Sequence, residues 1–328
     1  MAETATQVAV EAADAESGRP GPGNVGDRVF NATLWALGIM VLVVAGLIVL
    51  NLALVARPLA KEHSLWGFIT SSEWNPIEEH YGALPFLYGT LVTSALSIVL
   101  AVPIAIGLAL FITQFAPPKL GRVLTIPVEL LAAIPSVVYG LWGLFVVVPW
   151  LRESIEPWLG KHLGFLPLFQ GPPIGLGYLA SGVILAVMIL PTIVSVSVEV
   201  MKTTPEANRE AALALGATKW EAVMLAVIPY SRAGILGAVL LGLGRALGET
   251  MAVTMVIGNA PQISASLFAA GYSLPAVIAN EFAEAVSNVH IGALAGLGLI
   301  LFATTFLLNA GARILVTAVQ KGPSRIAG

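Results

Sequence analysis

The sequence has no cysteine and very few charged residues. Without cysteine the chain can form no disulfide bond, no cysteine-bound iron–sulfur cluster and no thiol nucleophile. Charged residues make up 11% of the 328 residues, whereas a soluble domain carries roughly 25%, so an ordinary water-soluble enzyme is nearly excluded. The formal net charge of −3 also argues against a nucleic-acid binder, because such a protein needs a basic face.

Catalytic and metal-binding patterns are missing as well. The sequence contains no Walker A loop to hold the phosphates of ATP, and no GxSxG or HExxH motif. Its four histidines, at positions 63, 80, 162 and 290, have no metal-ligand spacing. We therefore expect a protein that is not an enzyme, holds no metal or cofactor, and takes any energy it uses from a partner.

Long apolar runs are what the sequence does have. Apolar residues make up 57% of it, and the mean hydropathy is +0.88. About 20 apolar residues cross a bilayer core, and in lipid they must be helical because every backbone group has to bond internally. We predict an all-α integral membrane protein whose six transmembrane helices cover 29–55, 86–115, 124–148, 176–200, 231–258 and 291–319.

The remaining segments give the predicted domain organisation. Residues 1–27 are polar and are expected to form a disordered tail, residues 28–320 the membrane domain, and 321–328 a second tail. Most of the sixteen lysines and arginines fall on one side if both termini are cytoplasmic, which is the orientation we predict. Residues 275–285, in an outer loop, are expected to lie at the membrane interface or to meet an outer partner.

The loop between the fourth and fifth predicted helices carries clear helix signals. Thr204 is placed to cap a helix beginning at Pro205, and Gly216 suits the position after its end. Thr218 and Glu221 have the spacing of a capping box that opens another helix. The loop is therefore predicted to hold two helices bent at Gly216.

The first of these helices presents Glu210, Ala211 and Ala212 ahead of Gly216. Side chains this small let a partner's groove approach the backbone, and a bare connector needs no such organisation. The residues alone leave both interpretations open, a docking element and a plain connector between membrane helices.

The pattern of this loop resembles the EAA loop of ABC importer permeases. The matching residues are Glu210-Ala211-Ala212, Gly216 and the segment 226–229 that ends in Pro229, with a departure at Ala226, where the family has a larger aliphatic residue. The resemblance implies that the loop seats in a cleft of a cytosolic ATPase, with Glu210, Ala211, Ala212, Gly216 and Pro229 in the coupling region 204–229.

Further segments resemble phosphate-transport permeases of the PstC type, and the similarity runs from about residue 28 to the C-terminus. They are Trp74-Asn75-Pro76, 82–86, Gly89-Thr90, 129–140 and 244–250. The resemblance implies a type I ABC importer (MetI-like) architecture in the bacterial cytoplasmic membrane. It also implies that the chain moves inorganic phosphate with a PstA-like second permease, two PstB-like cytosolic ATPases and a PstS-like phosphate-binding protein outside, in contact with lipid and not with nucleic acid.

Arg245 and Glu249 are charges inside the fifth predicted helix. Their i, i+4 spacing predicts one shared helix face, and the cost of a charge in lipid, about 2.5–3.5 kcal/mol, predicts that they point into the bundle. The arginine fork matches phosphate oxygens, and Glu249 is either its resting counter-ion or a proton acceptor. A purely structural ion pair is equally compatible with the spacing, although the resemblance implies a role in phosphate translocation.

Weaker candidates for the pathway are polar residues that more commonly bond to a neighbouring helix: Ser136, Tyr139, Thr250 and Asn259. Alternatives for the whole chain also stay open. It could be an ABC permease for another oxyanion such as sulfate or molybdate, or an ion-coupled secondary transporter, although the latter predicts ionisable residues along several helices. An intramembrane enzyme is disfavoured by the lack of a catalytic constellation.

Overall fold

The computed structural model describes residues 25–62 and 64–320, which are helical apart from their connections. The predicted tail 321–328 lies outside these residues, as does the predicted tail 1–27 except for its last three residues, which begin the first helix. The helices are α1 Val25–Val55, α2 Arg57–Glu62, α3 Leu65–Thr70, α4 Leu84–Phe115, α5 Pro118–Ala133, α6 Ser136–Leu163, α7 Tyr178–Lys202, α8 Glu206–Ala214, α9 Lys219–Gly248, α10 Met251–Val256, α11 Leu274–Glu281 and α12 Asn288–Gln320.

Five helices of the described part are long and apolar enough to cross a membrane, namely α1, α4, α7, α9 and α12. They confirm the predicted spans 29–55, 86–115, 176–200 and 291–319 to within a few residues. The predicted span 231–258 is wrong at both ends, because α9 begins at Lys219 and ends at Gly248. The proline and glycine residues in this segment do not mark the ends, because α9 continues through Pro229 and through several glycines.

The predicted span 124–148 is not one straight helix. It falls in α5 and α6, which meet at an angle of 95°. Between them Ile134 is extended, with φ −69° and ψ 130°, as expected for a residue that precedes a proline, here Pro135. The pair counts as a sixth span only if both helices are taken together.

The chain divides into two compact units. In the unit Met1–Asn51, the described residues form one uninterrupted apolar helix, the larger part of α1. The unit Leu52–Gly328 contains the remaining helices.

Helix α7 lies at the centre of the larger unit, packed between α4 and α9. Two thirds of the residues in its most apolar stretch of 18 residues are buried. Small residues make the close approach possible: Gly182 of α7 faces the Leu96 side chain of α4, and Gly242 of α9 faces Ile193 of α7. Because α7 packs against both α4 and α9, it determines where the side chains on the inner face of α9 lie.

Gly89 of α4 offers a test of this close packing. A Cβ atom at this position would lie 2.1 Å from the backbone carbonyl oxygen of Tyr272, so Gly89→Ala must push the segment before α11 away from α4. We expect a loss of stability of about 1–3 kcal/mol, measured as a lower unfolding temperature of the protein in detergent. Gly107→Ala in the same helix is the matched control, since no heavy atom outside its own helix turn lies within 4 Å. Equal unfolding temperatures for both variants would contradict the packing.

Candidate functional site

Helix α9 ends between the two membrane charges that the sequence pointed to. Its last residue is Gly248, Glu249 is extended with φ −69° and ψ 127°, and α10 begins at Met251. The prediction that Arg245 and Glu249 share a helix face is therefore wrong, since the i, i+4 relation holds only within one helix. The described part of the chain also shows no ion pair between them.

Glu249 instead stabilises the start of α10. Its Oε1 atom accepts a hydrogen bond from the backbone N–H of Ala252 at 3.2 Å. Backbone N–H groups in the first turn of a helix have no partner within the helix. A carboxylate there accepts a hydrogen bond from one of them, and its negative charge is stabilised by the positive end of the helix dipole.

Arg245 reaches the neighbouring helix α7. Its Nη1 atom donates to the Thr192 hydroxyl at 3.3 Å, and the side chain is half-buried. No carboxylate of the described residues lies within ion-pair distance of it. A guanidinium placed in this way keeps its charge and most of its donors available for an anion. Sequence reasoning missed Thr192, because only the packing of α9 on α7 brings the two side chains together.

A second helix break lies close to the first. α10 packs on the beginning of α6, where a Cβ atom at Gly140 would lie 3.0 Å from the Cα atom of Ala252. The break between α5 and α6 is therefore a neighbour of the break at Glu249. Non-helical backbone at membrane depth is tolerated only where it is buried in protein or lines a water-filled path. Two adjacent breaks beside Arg245 thus mark a candidate pathway.

The weaker candidates lie around these breaks. Ser136 is the first residue of α6 and is half-buried. The Tyr139 side chain is buried, and its hydroxyl donates to the carbonyl oxygen of Leu131 at 2.8 Å, across the break between α5 and α6. Tyr139 thus holds the bend, and contact with a solute stays a prediction for both residues.

Thr250 and Asn259 sit at opposite ends of α10. Thr250 Oγ1 donates to the carbonyl oxygen of Gly248 at 3.3 Å. Asn259 has a left-handed backbone, with φ 50°, and its Nδ2 atom donates to the carbonyl oxygen of Thr254 at 3.0 Å. Both side chains bond to backbone near the helix ends, so their part in a pathway remains untested.

The loop before α9 has the predicted bend and capping box. Gly216 has φ +88°, a conformation that favours glycine, and it follows α8 closely. The Thr218 hydroxyl accepts from the N–H of Glu221 at 3.3 Å, and the Glu221 carboxylate accepts from the N–H of Thr218 at 2.8 Å. The prediction that Thr204 caps α8 is wrong. Pro205 precedes the helix, and Thr204 Oγ1 lies 3.2 Å from the Ser231 hydroxyl.

The helix that this capping box starts does not end within the loop. It is the first turn of α9, which continues for 30 residues to Gly248, about 45 Å of helix. A π-type turn at Val223–Val227 comes just before Pro229, which lacks a backbone N–H, and the helix passes both without ending. One continuous helix therefore joins the loop to Arg245.

An apolar groove of about 810 Å³ lies between α8 and the start of α9. Ala211, Ala212 and Gly216 line it, whereas Glu210 and Pro229 are exposed and do not. The coupling role of these five residues stays a prediction. The groove also presents bulky side chains to solvent, with Leu215 90% exposed. Grouped exposed apolar side chains make this groove a candidate contact site.

These features define a membrane permease. They are the long apolar helices, the two helix breaks next to the half-buried Arg245, and the two helices of the loop before the membrane-spanning part of α9. The sequence model of the family described as "Binding-protein-dependent transport system inner membrane component" matches residues 101–323. The chain belongs to this family, in its PstC branch.

Relatives and solved structures support this assignment. Over 298 residues, the chain is 47% identical to the phosphate transport system permease protein PstC of Mesorhizobium japonicum, covering 90% of this chain and 91% of the relative. It is 40% identical over 310 residues to PstC 2 of Mycobacterium tuberculosis, covering 92% and 95%. The fold matches a chain of a bacterial alginate ABC transporter with a TM-score of 0.61 at 15% identity, covering 90% and 96%. That structure shows the likeness of fold alone.

Proposed function

We propose that this chain is a permease subunit through which an ATP-driven importer moves inorganic phosphate across the cytoplasmic membrane. The observation that carries the proposal is the 47% identity to a phosphate transport system permease over 90% of the chain. In the proposed assembly it pairs with a PstA-like permease, two PstB-like ATPases and an extracytoplasmic PstS-like phosphate-binding protein. In this proposal both termini are cytoplasmic.

Arg245 is the proposed contact for phosphate. Its guanidinium keeps free donors, lies between α9 and α7, and is next to the two helix breaks. A planar fork of donors suits two phosphate oxygens at once. The Thr192 hydroxyl orients the fork from the other side. Since Glu249 caps α10 and forms no ion pair with Arg245, the counter-ion interpretation of Glu249 loses support.

The surface formed by α8 and the groove between α8 and α9 is the proposed contact for the ATPase. Closure of the ATPases would push on the groove, and the continuous helix α9 would carry the displacement to Gly248 and the break that follows. The break allows α10 to stay packed on α6 while α9 moves. The pathway would then alternate between two states, biased by the ATPase partner.

Anion uptake by the complete complex in vesicles tests this function. We expect phosphate and arsenate to accumulate, and sulfate not to, when ATP is supplied on the ATPase side of the vesicle membrane and the binding protein on the opposite side. Uptake that proceeds without ATP would favour an ion-coupled secondary transporter. A preference for sulfate or molybdate would identify an importer of another oxyanion and contradict the proposal.

A further inference from the structure

The connection between α3 and α4 is bonded firmly to the far end of the chain. The indole Nε1 of Trp74 donates to both carboxylate oxygens of Glu281, at 3.2 and 3.0 Å, and His290 Nε2 lies 3.0 Å from Glu281 Oε2. The indole ring packs edge-on against Tyr81 and Phe86, with centroids 5.0 and 4.8 Å apart. The connection is thus tied to the end of α11 and the start of α12.

The tip of this connection is ordered by its own hydrogen bonds. Asn75 and His80 exchange two backbone hydrogen bonds, at 2.8 and 3.1 Å, and Asn75 Oδ1 accepts from the N–H of Ile77 at 3.1 Å. Gly82 closes the base, since a Cβ atom there would lie 2.3 Å from the carbonyl oxygen of Ser71. This framework presents Ile77 outward, and its side chain is 93% exposed.

Two more apolar side chains are exposed on the neighbouring connection between α11 and α12. Phe282 directly follows Glu281 and is 60% exposed, and Val286, four residues before His290, is 93% exposed. We call Ile77, Phe282 and Val286 the outer corner. The residues 274–277 are buried, so the part of the predicted interfacial segment 275–285 that remains available to a partner is its second half.

The two connections that carry the outer corner, 71–83 and 282–287, contain glutamates and no lysine or arginine. Glu73, Glu78 and Glu284 are exposed beside it. The sequence has no lysine or arginine from position 62 to 118 or from 259 to 312. An acidic rim repels anionic lipid headgroups and attracts a protein surface that carries lysine and arginine. An apolar centre with a charged rim is the usual composition of a protein–protein contact.

The outer corner faces away from the ATPase groove. Helix α4 starts at Leu84, next to the corner, and ends at Phe115, whose ring lies 6.3 Å from the Trp220 ring in the groove. A contact at the corner is therefore on the side from which a solute arrives.

We propose that the outer corner is a docking site for the soluble solute-binding protein, which meets it with an apolar patch ringed by basic side chains. This inference rests on the proposed function and specifies its outer partner surface. The firm bonding of Trp74 to Glu281 keeps Ile77 in place before contact, so little conformational entropy is lost on binding.

Binding measurements on the complete complex in nanodiscs test the site. We expect Ile77→Asp and Val286→Asp each to weaken binding of the phosphate-loaded binding protein about tenfold, as for a truncated interface anchor, and to raise the concentration needed to stimulate ATP hydrolysis. Basal ATP hydrolysis should not change. Ile77→Val is the matched control and should bind like the wild type. Glu78→Lys should weaken binding at low salt, with a smaller effect at high salt.

The outcomes separate the two proposals. If the wild-type complex shows no response to the phosphate-loaded binding protein, the proposed function fails and the docking site with it. If the wild type responds and both aspartate variants bind with unchanged affinity, only the docking site is wrong. Unchanged affinity together with a lower unfolding temperature in lipid would assign the corner to the membrane surface, which also overturns the inference.

Discussion

Phosphate uptake should fall at least about a hundredfold when Arg245 is replaced by glutamine, with the complex still assembled. Two hydrogen bonds from a charged donor are worth about 1.5–3 kcal/mol each, and glutamine has neither the charge nor the planar fork. Arg245→Lys keeps the charge and loses the fork, so it should restore only part of the uptake. The measurement is the initial rate of ATP-driven phosphate uptake in vesicles.

Thr192→Val is the matched control for Arg245. It removes the one hydroxyl that accepts from the guanidinium in the described part of the chain and leaves the charge in place. We expect a smaller loss than for Arg245→Gln, because the arginine is less well oriented but still attracts the anion. Wild-type uptake in Arg245→Gln, at equal amounts of assembled complex, would leave Arg245 with a structural role only.

Filling the groove with a tryptophan at Ala211 should separate the permease from its ATPase. Ala211 is exposed and lines the groove, so the larger side chain fits within this chain and obstructs the partner. Overpacking of a contact costs about 1–3 kcal/mol, and we expect ATP-driven uptake and co-purification of the ATPase to fall about fivefold or more.

Ala214→Trp in the same helix provides the comparison. Ala214 is also exposed, but it does not line the groove. This variant should keep the larger share of uptake and ATPase binding. If both tryptophan variants lose the ATPase equally, the whole helix surface and not the groove is the contact. If neither loses it, the proposed contact is wrong.

Local signals in the sequence predicted the loop before α9 well. The capping box at Thr218 and Glu221 needs only residues three apart, and the bend at Gly216 needs only a residue that tolerates positive φ. The same kind of reasoning went wrong at Thr204, because Pro205 holds an extended backbone there and the hydroxyl lies near Ser231 instead. Ser231 is 27 positions away, so the residues around Thr204 give no sign that its hydroxyl lies near Ser231.

The membrane charges show the limit of spacing arguments. The i, i+4 spacing of Arg245 and Glu249 predicted a common helix face, and the break at Glu249 removed it. The actual neighbour of Arg245 is Thr192, on another helix, and the actual partner of Glu249 is the backbone of Ala252. The contact of Arg245 follows from the packing of α9 on α7, which no periodicity in the sequence encodes. The contact of Glu249 is local, three residues along the chain, and it forms because the helix breaks at this position.

The sequence by itself determined that this is a helical membrane protein with two helices in the loop before α9, because the length of an apolar run and the capping of a helix act over short stretches of the chain. Only the tertiary structure decided where α9 ends, which side chain orients Arg245, and how α9 links the loop to it. In a membrane, a helix can break only where neighbouring helices shelter the freed backbone groups. The position of a break is therefore a property of the packed bundle.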